Sequence, residues 1–96
     1  MKIRFTLTAQ AQLKSAVDYI RRDRSSAASS FAAKAKQRLK RLQRYPNSGR
    51  KVPEYPESQV REVVVSPYRF FYQLRGKTVW ILAVWHEAQL RDDPSV

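Results

Sequence analysis

The chain has 96 residues, 43% of them hydrophobic and 11% aromatic, which suits one small domain and is too apolar for a disordered chain. It has no cysteine and a single histidine, His86, so disulfides, thiolate metal sites and a histidine metal cluster are excluded. Lys and Arg number 19 against 8 Asp and Glu, and the net charge of +11 exceeds what solubility requires and implies an acidic partner: nucleic acid, an acidic protein surface, or both.

In chain order, residues 2–6 read as a first strand. The N-terminal Met1-Lys2-Ile3-Arg4-Phe5 lacks the apolar stretch of a signal peptide. Ala9, Leu13, Ala16, Val17 and Ile20 recur at helical spacing and predict a helix over residues 8–23, with Thr8 as its N-cap. A short break follows at residues 23–26, where Ser25 or Ser26 is placed to cap a second helix over residues 26–44. Ala28, Phe31, Ala32, Ala35, Leu39 and Leu42 form the apolar stripe of that helix. Lys34, Lys40, Arg41 and Arg44 fall on the opposite face, and Lys36 and Arg38 flank the stripe. Both stripes are narrow and rich in alanine, which predicts a helical hairpin packed on a sheet.

The charge is concentrated in this part of the chain. Residues 8–44 carry ten bases against Asp18 and Asp23, whereas residues 45–96 carry seven bases against six acids. A merely solvated helix face usually mixes signs, and this one scarcely does.

Pro46 and Gly49 stop the second helix, and Pro53 and Pro56 keep the chain irregular to about residue 58. Three strands are predicted over residues 60–65, 68–75 and 78–86, joined by turns at Ser66-Pro67 and Gly76-Lys77, as an antiparallel meander. Tyr68, Phe70 and Tyr72 share one face and are expected in the core, while Trp80 and Trp85 are expected on opposite faces of the last strand. The longest apolar run, Val79-Trp80-Ile81-Leu82-Ala83-Val84-Trp85, is far too short to span a bilayer, which takes roughly 20 residues. Residues 88–96 read as a polar tail. The expectation is a single α+β domain over residues 1–96, β-α-α-β-β-β, with a helical hairpin on a small antiparallel sheet. It is expected to be soluble and cytoplasmic, with no membrane contact and neither metal nor cofactor.

The glycines, Gly49 and Gly76, cannot build a phosphate-binding loop, and no nucleophile elbow is present. Arg61, Arg69, Tyr72 and His86 all lie on the meander strands. Converged, they would suit metal-free RNA cleavage, with His86 as acid or base and the arginines holding phosphate. The plainer reading is that His86 ends a strand and bonds backbone, and that Arg61 pairs with a nearby carboxylate.

Pro46, Gly49-Arg50, Pro53-Glu54, Arg61-Glu62, Tyr68-Arg69, Tyr72 and Val84-Trp85-His86, taken with the order of elements, resemble the RelE/ParE toxin superfamily over about residues 3–90. The resemblance implies the toxin of a type II toxin–antitoxin system, associated with growth inhibition and plasmid stabilisation. Its partner would be a cognate antitoxin whose acidic segment wraps it, in a higher-order hetero-oligomer. RelE-like members cut mRNA on the ribosome, and ParE-like members are thought to poison DNA gyrase. No lysine cluster occupies residues 60–75, residues 87–91 lack a tyrosine-bearing end, and Gln89 stands where many relatives carry a base. These departures favour the ParE-like branch. On that reading Lys34, Arg38, Lys40, Arg41 and Arg44 would meet the target, and Arg50, Arg61, Arg69 and Trp85 the antitoxin. The alternatives are a ribosome-dependent endoribonuclease using Arg61, Arg69, Tyr72 and His86, and a non-toxic basic nucleic-acid-binding module.

Overall fold

The computed structural model describes residues 1–88. Chain order is β1 (Lys2–Phe5), α1 (Leu7–Asp23), α2 (Ser25–Arg44), β2 (Arg50–Lys51), β3 (Arg61–Val65), β4 (Tyr68–Arg75) and β5 (Thr78–His86). The two helices pack as a hairpin on one face of a five-stranded sheet of order β1-β5-β4-β3-β2. This is the α+β fold expected, with two refinements. The sheet is mixed, because β1 runs parallel to β5 while β2 to β5 pair antiparallel. The second is β2 itself, too short to leave a periodic trace in sequence. The polar tail expected over residues 88–96 lies, beyond Ala88, outside the described residues.

The first helix is capped by Thr6 rather than Thr8. The Thr6 hydroxyl accepts the N–H of Ala9 at 3.1 Å and donates to the carbonyl of Leu82 at 3.2 Å. The cap therefore ties α1 to β5 as well as satisfying an N-terminal amide. Neither Ser25 nor Ser26 caps α2. Arg24 takes the extended backbone of the cap position, with no side-chain cap bond, and its carbonyl accepts from Ala27 and Ala28. The break between the helices is thus a single residue, and both serines lie inside the first turn of α2.

The main core lies between the hairpin and the sheet. Ala9 and Ala16 of α1 and Phe31, Ala35, Leu39 and Leu42 of α2 meet Val63, Tyr68, Phe70, Tyr72, Val79, Ile81 and Val84. Small residues on α1 let it approach β5 closely, and the larger α2 side chains fill the space over β3 and β4. The Phe31 ring packs edge-on against Tyr68, with centroids 5.6 Å apart. The expected placing of Tyr68, Phe70 and Tyr72 in the core holds.

A second, smaller cluster of Val52, Val60, Phe71 and Ala83 lies on the opposite face, where residues 52–60 cross the sheet. Here one expectation fails. Tyr72 pairs with Ile81 and Phe71 with Ala83, so Leu82 is an extra residue in β5 without a partner on β4. Such a bulge flips the alternation beyond it. Trp80, opposite Gln73, and Trp85, opposite Arg69, consequently share the face away from the helices instead of facing apart. Trp85 packs there on Phe71, with ring centroids 4.7 Å apart. The outer edge of β5 beyond the end of β1 is closed by side chains: Thr6 takes the Leu82 carbonyl, and Gln12 Oε1 accepts the Val84 N–H at 2.7 Å.

Candidate target face and acidic-partner cleft

Residues 24–53 contain no Asp or Glu at all, and α2 occupies most of that stretch. Lys34, Lys36, Arg38, Lys40, Arg41 and Arg44 are all exposed. Helical geometry stacks Lys34, Arg38 and Arg41 along one side of the outer surface and Lys40 and Arg44 along the next. None of the six forms an ion pair with a carboxylate among the described residues. The bases of α1 differ, since Lys14 and Arg21 both reach Asp18, at 3.9 and 3.1 Å. The positive arm foreseen for the whole hairpin is therefore chiefly a property of α2.

An open cleft of about 760 Å³ lies between the end of α2 and the outer edge of β3, with Arg38, Arg41, Arg50, Glu54, Glu62 and Arg69 among its lining. Its floor is a chain of alternating charge. Arg50 binds Glu62 Oε2 through Nε at 3.2 Å and Nη2 at 3.0 Å. Arg69 grips Glu62 from the other side and holds both Glu54 oxygens at 2.7 Å. Its guanidinium also lies 4.9 Å from the Phe71 ring centre. The Glu62 side chain is fully buried and that of Arg69 is 8% exposed, so each neutralises a charge that burial would otherwise penalise heavily.

The remaining polar groups fasten the loop after α2. Tyr72, buried on the helix face, donates its hydroxyl to the Pro46 carbonyl at 2.7 Å and accepts the Gly49 N–H at 2.9 Å. Burial pushes its phenol pKa up. Arg61 Nη1 donates to the Gly49 carbonyl at 2.9 Å. Gly49 must be glycine: a Cβ there would meet the Tyr72 ring at 2.5 Å and the Glu62 carbonyl at 2.8 Å. Residues 46–54 are thus held by Arg61, Arg69 and Tyr72 together.

The geometry does not gather Arg61, Arg69, Tyr72 and His86 in one place. Arg61 stands opposite Tyr72, and His86 opposite Tyr68, four residues along β4, a separation of about 13 Å. Arg69 points to the other face, toward Glu54 and Glu62. His86 packs edge-on against Tyr68, and its Nδ1 accepts the Ala88 N–H at 3.1 Å. Of the residues expected to meet an antitoxin, Arg50 keeps most of its side chain in solvent and Arg69 keeps almost none, while Arg61 and Trp85 are half-buried. Sequence reading missed Glu54 and Glu62 as the partners of Arg69, although both stand in the motif that carried the resemblance.

This network sets an acid limit on stability. Hydrogen bonds from Arg69 hold the Glu54 carboxyl well below its ordinary value, at about 2. A carboxyl depressed in the folded state contributes stability that is complete above its unfolded value, near 4.5, and is lost as pH falls toward 2. Glu54→Gln is expected to melt below the wild type at neutral pH, with the gap closing between about pH 4.5 and 2. Thermal melts across that range by circular dichroism check it. A gap that stayed constant to pH 2 would rule the linkage out.

The model of the family described as "ParE toxin of type II toxin-antitoxin system, parDE" matches residues 3–91. The chain belongs to the ParE toxin family. Its fold is also similar to a chain of the solved structure titled "Chromosomal ParDE TA system from P. aeruginosa", with a TM-score of 0.68 and 24% identity over 90% of this chain and 95% of that one. No curated protein matches the sequence. This ParE-family toxin accordingly has the helical hairpin and sheet of its solved relative, and membership of the family implies an antitoxin partner. No helix among its described residues is long and apolar enough to cross a membrane.

Proposed function

We propose that this ParE-family toxin acts in the cytoplasm by binding DNA gyrase through the exposed face of α2, and that a cognate antitoxin neutralises it with an acidic, extended segment. The observation that carries the first part is the α2 face, six exposed cations with no carboxylate partner among the described residues. A single-sign surface of this kind steers an acidic target and strengthens its docking. The mode of action is binding, and no bond-making step is assigned to the protein.

The cleft beside β3 supports the second part. β2 pairs only with Arg61 and Glu62. The Glu62 carbonyl is directed at Gly49, so two residues on, Val64 turns its own N–H and C=O outward, with no strand beside it among the described residues. An extended peptide laid along that edge would gain backbone hydrogen bonds, and Arg38, Arg41 and Arg50 would meet its carboxylates. Since α2 borders the cleft, such a segment would also shield part of the target face.

A supercoiling assay with purified gyrase tests the proposal. Inhibition at micromolar toxin, relieved by a stoichiometric acidic antitoxin, is the expected result. Full supercoiling in the presence of correctly folded toxin would refute it.

A further inference from the structure

The C-terminal end of α2 carries an aromatic ring in a setting that its basic face alone does not explain. Tyr45 is 53% exposed although its backbone is pinned on both sides. Its N–H donates to the Arg41 carbonyl at 2.9 Å, and its own carbonyl accepts the Ser48 N–H at 3.0 Å. The next turn is fixed in its place by Tyr72, which holds Pro46 and Gly49. The ring is thus presented to solvent by rigid chain, not left there by a loose loop. The Arg41 and Arg44 guanidinium carbons each lie 6.0 Å from its centre. Two shallow concavities share Arg41, Arg44 and Tyr45, one extending over Gln37 and Lys40 and the other over Pro46 and Asn47.

We infer that this cluster is a binding site for single-stranded nucleic acid, with one base stacked on Tyr45 and the flanking phosphates held by Arg41 and Arg44. The inference rests on reading α2 as the target face and names the chemistry met by its C-terminal end. A flat ring flanked by cations matches a chain in which π-faces alternate with phosphates. An acidic polypeptide would satisfy the arginines but would offer no π-face to the exposed part of the ring. A duplex would also satisfy them, but its base faces are stacked inside the helix, out of reach of Tyr45. The amides of Gln37 and Asn47 stand at the rims, where they can donate to or accept from base edges.

Fluorescence anisotropy with a labelled oligothymidylate, against the same length of duplex and against polyglutamate as competitor, decides it. The single strand is expected to bind more tightly than the duplex. Tyr45→Ala is expected to weaken binding roughly thirtyfold, the middle of the range for one stacked base, while Tyr45→Phe stays within about twofold of the wild type. The Arg41→Gln, Arg44→Gln pair should lower the slope of log K against log salt by about 1.4, the value for two phosphates on a single strand. Circular dichroism confirms the fold of each variant, and the exposure of Tyr45 makes its loss tolerable. Equal binding of Tyr45→Ala and wild type, a preference for duplex, or no binding at low salt would each overturn the site. Gyrase inhibition by the same proteins, measured without the oligonucleotide, is a separate readout. A failed stacking site with intact inhibition would leave the proposed target standing.

Discussion

Replacing Arg69 by leucine is expected to cost about 3–5 kcal/mol of folding stability, the range for breaking a buried ion pair from one side. In a domain of this size that lowers the melting temperature by roughly 15–30 °C. The reason is Glu62, whose side chain has no solvent contact and which would keep only Arg50 as counter-charge. Arg50 is itself 61% exposed on its side chain, so it screens Glu62 weakly. Glu54 loses its bidentate partner as well, but a third of its side chain reaches water, so its loss adds less. Pairing the change with Glu62→Leu should restore most of the lost stability, because an apolar pair of similar volume does not carry the desolvation cost of the ions. Chemical denaturation of the wild type, the single variant and the double variant measures this directly. A single variant within about 1 kcal/mol of the wild type would show that the charge chain is not what fastens residues 50–54 to the sheet.

The second large effect is expected on activity with little change in stability. Lys34→Glu, Arg38→Glu and Lys40→Glu together reverse three charges of α2 that touch no carboxylate among the described residues. Each sits on the exposed surface, where substitutions typically shift stability by no more than about 0.5 kcal/mol. Inhibition of gyrase is nonetheless expected to weaken by roughly tenfold or more, equivalent to about 1.4 kcal/mol over the three sites. The remaining inhibition should depend less steeply on salt, since exposed charges act through a field that ions screen. Matching neutral substitutions at the same positions should fall between the two. Undiminished inhibition by a folded triple variant would remove α2 from the target surface.

Much of this was legible in the chain, and the failures have physical causes. The helices announced themselves because Ala9, Leu13, Ala16 and Ile20, and then Phe31, Ala35, Leu39 and Leu42, repeat at the period of a helix that buries one side. The charge of α2 was legible for the complementary reason: thirty residues without an acid cannot form internal ion pairs locally. The bulge at Leu82 was hidden because residues 79–85 are apolar throughout, so a slip in alternation leaves no polar residue on the wrong face to reveal it. The cap at Thr6 was missed because Thr8 has the same chemistry, and only the position of β5 decides between them.

The candidate site divides in the same way. The face made by Lys34, Lys40, Arg41 and Arg44 follows from helix geometry alone, so the sequence suffices to place it. The network of Arg50, Glu62, Arg69 and Glu54 depends on a loop crossing the sheet, and no local pattern encodes which carboxylate an arginine will meet fifteen residues away. Arg61, Arg69, Tyr72 and His86 looked like one set because all stand on adjacent strands. Strand register and side-chain direction then sent Arg69 to one face and the other three to the second, with Arg61 and His86 at opposite ends of it. Tyr45 carried no signal beyond its place after a basic helix.

Pulse-labelling of DNA and protein synthesis immediately after induction of the toxin, with no antitoxin present, tests the proposed action most directly. Thymidine incorporation should fall first while amino-acid incorporation continues, and the triple α2 reversal should lessen that fall. Arrest of protein synthesis ahead of DNA synthesis would contradict the account.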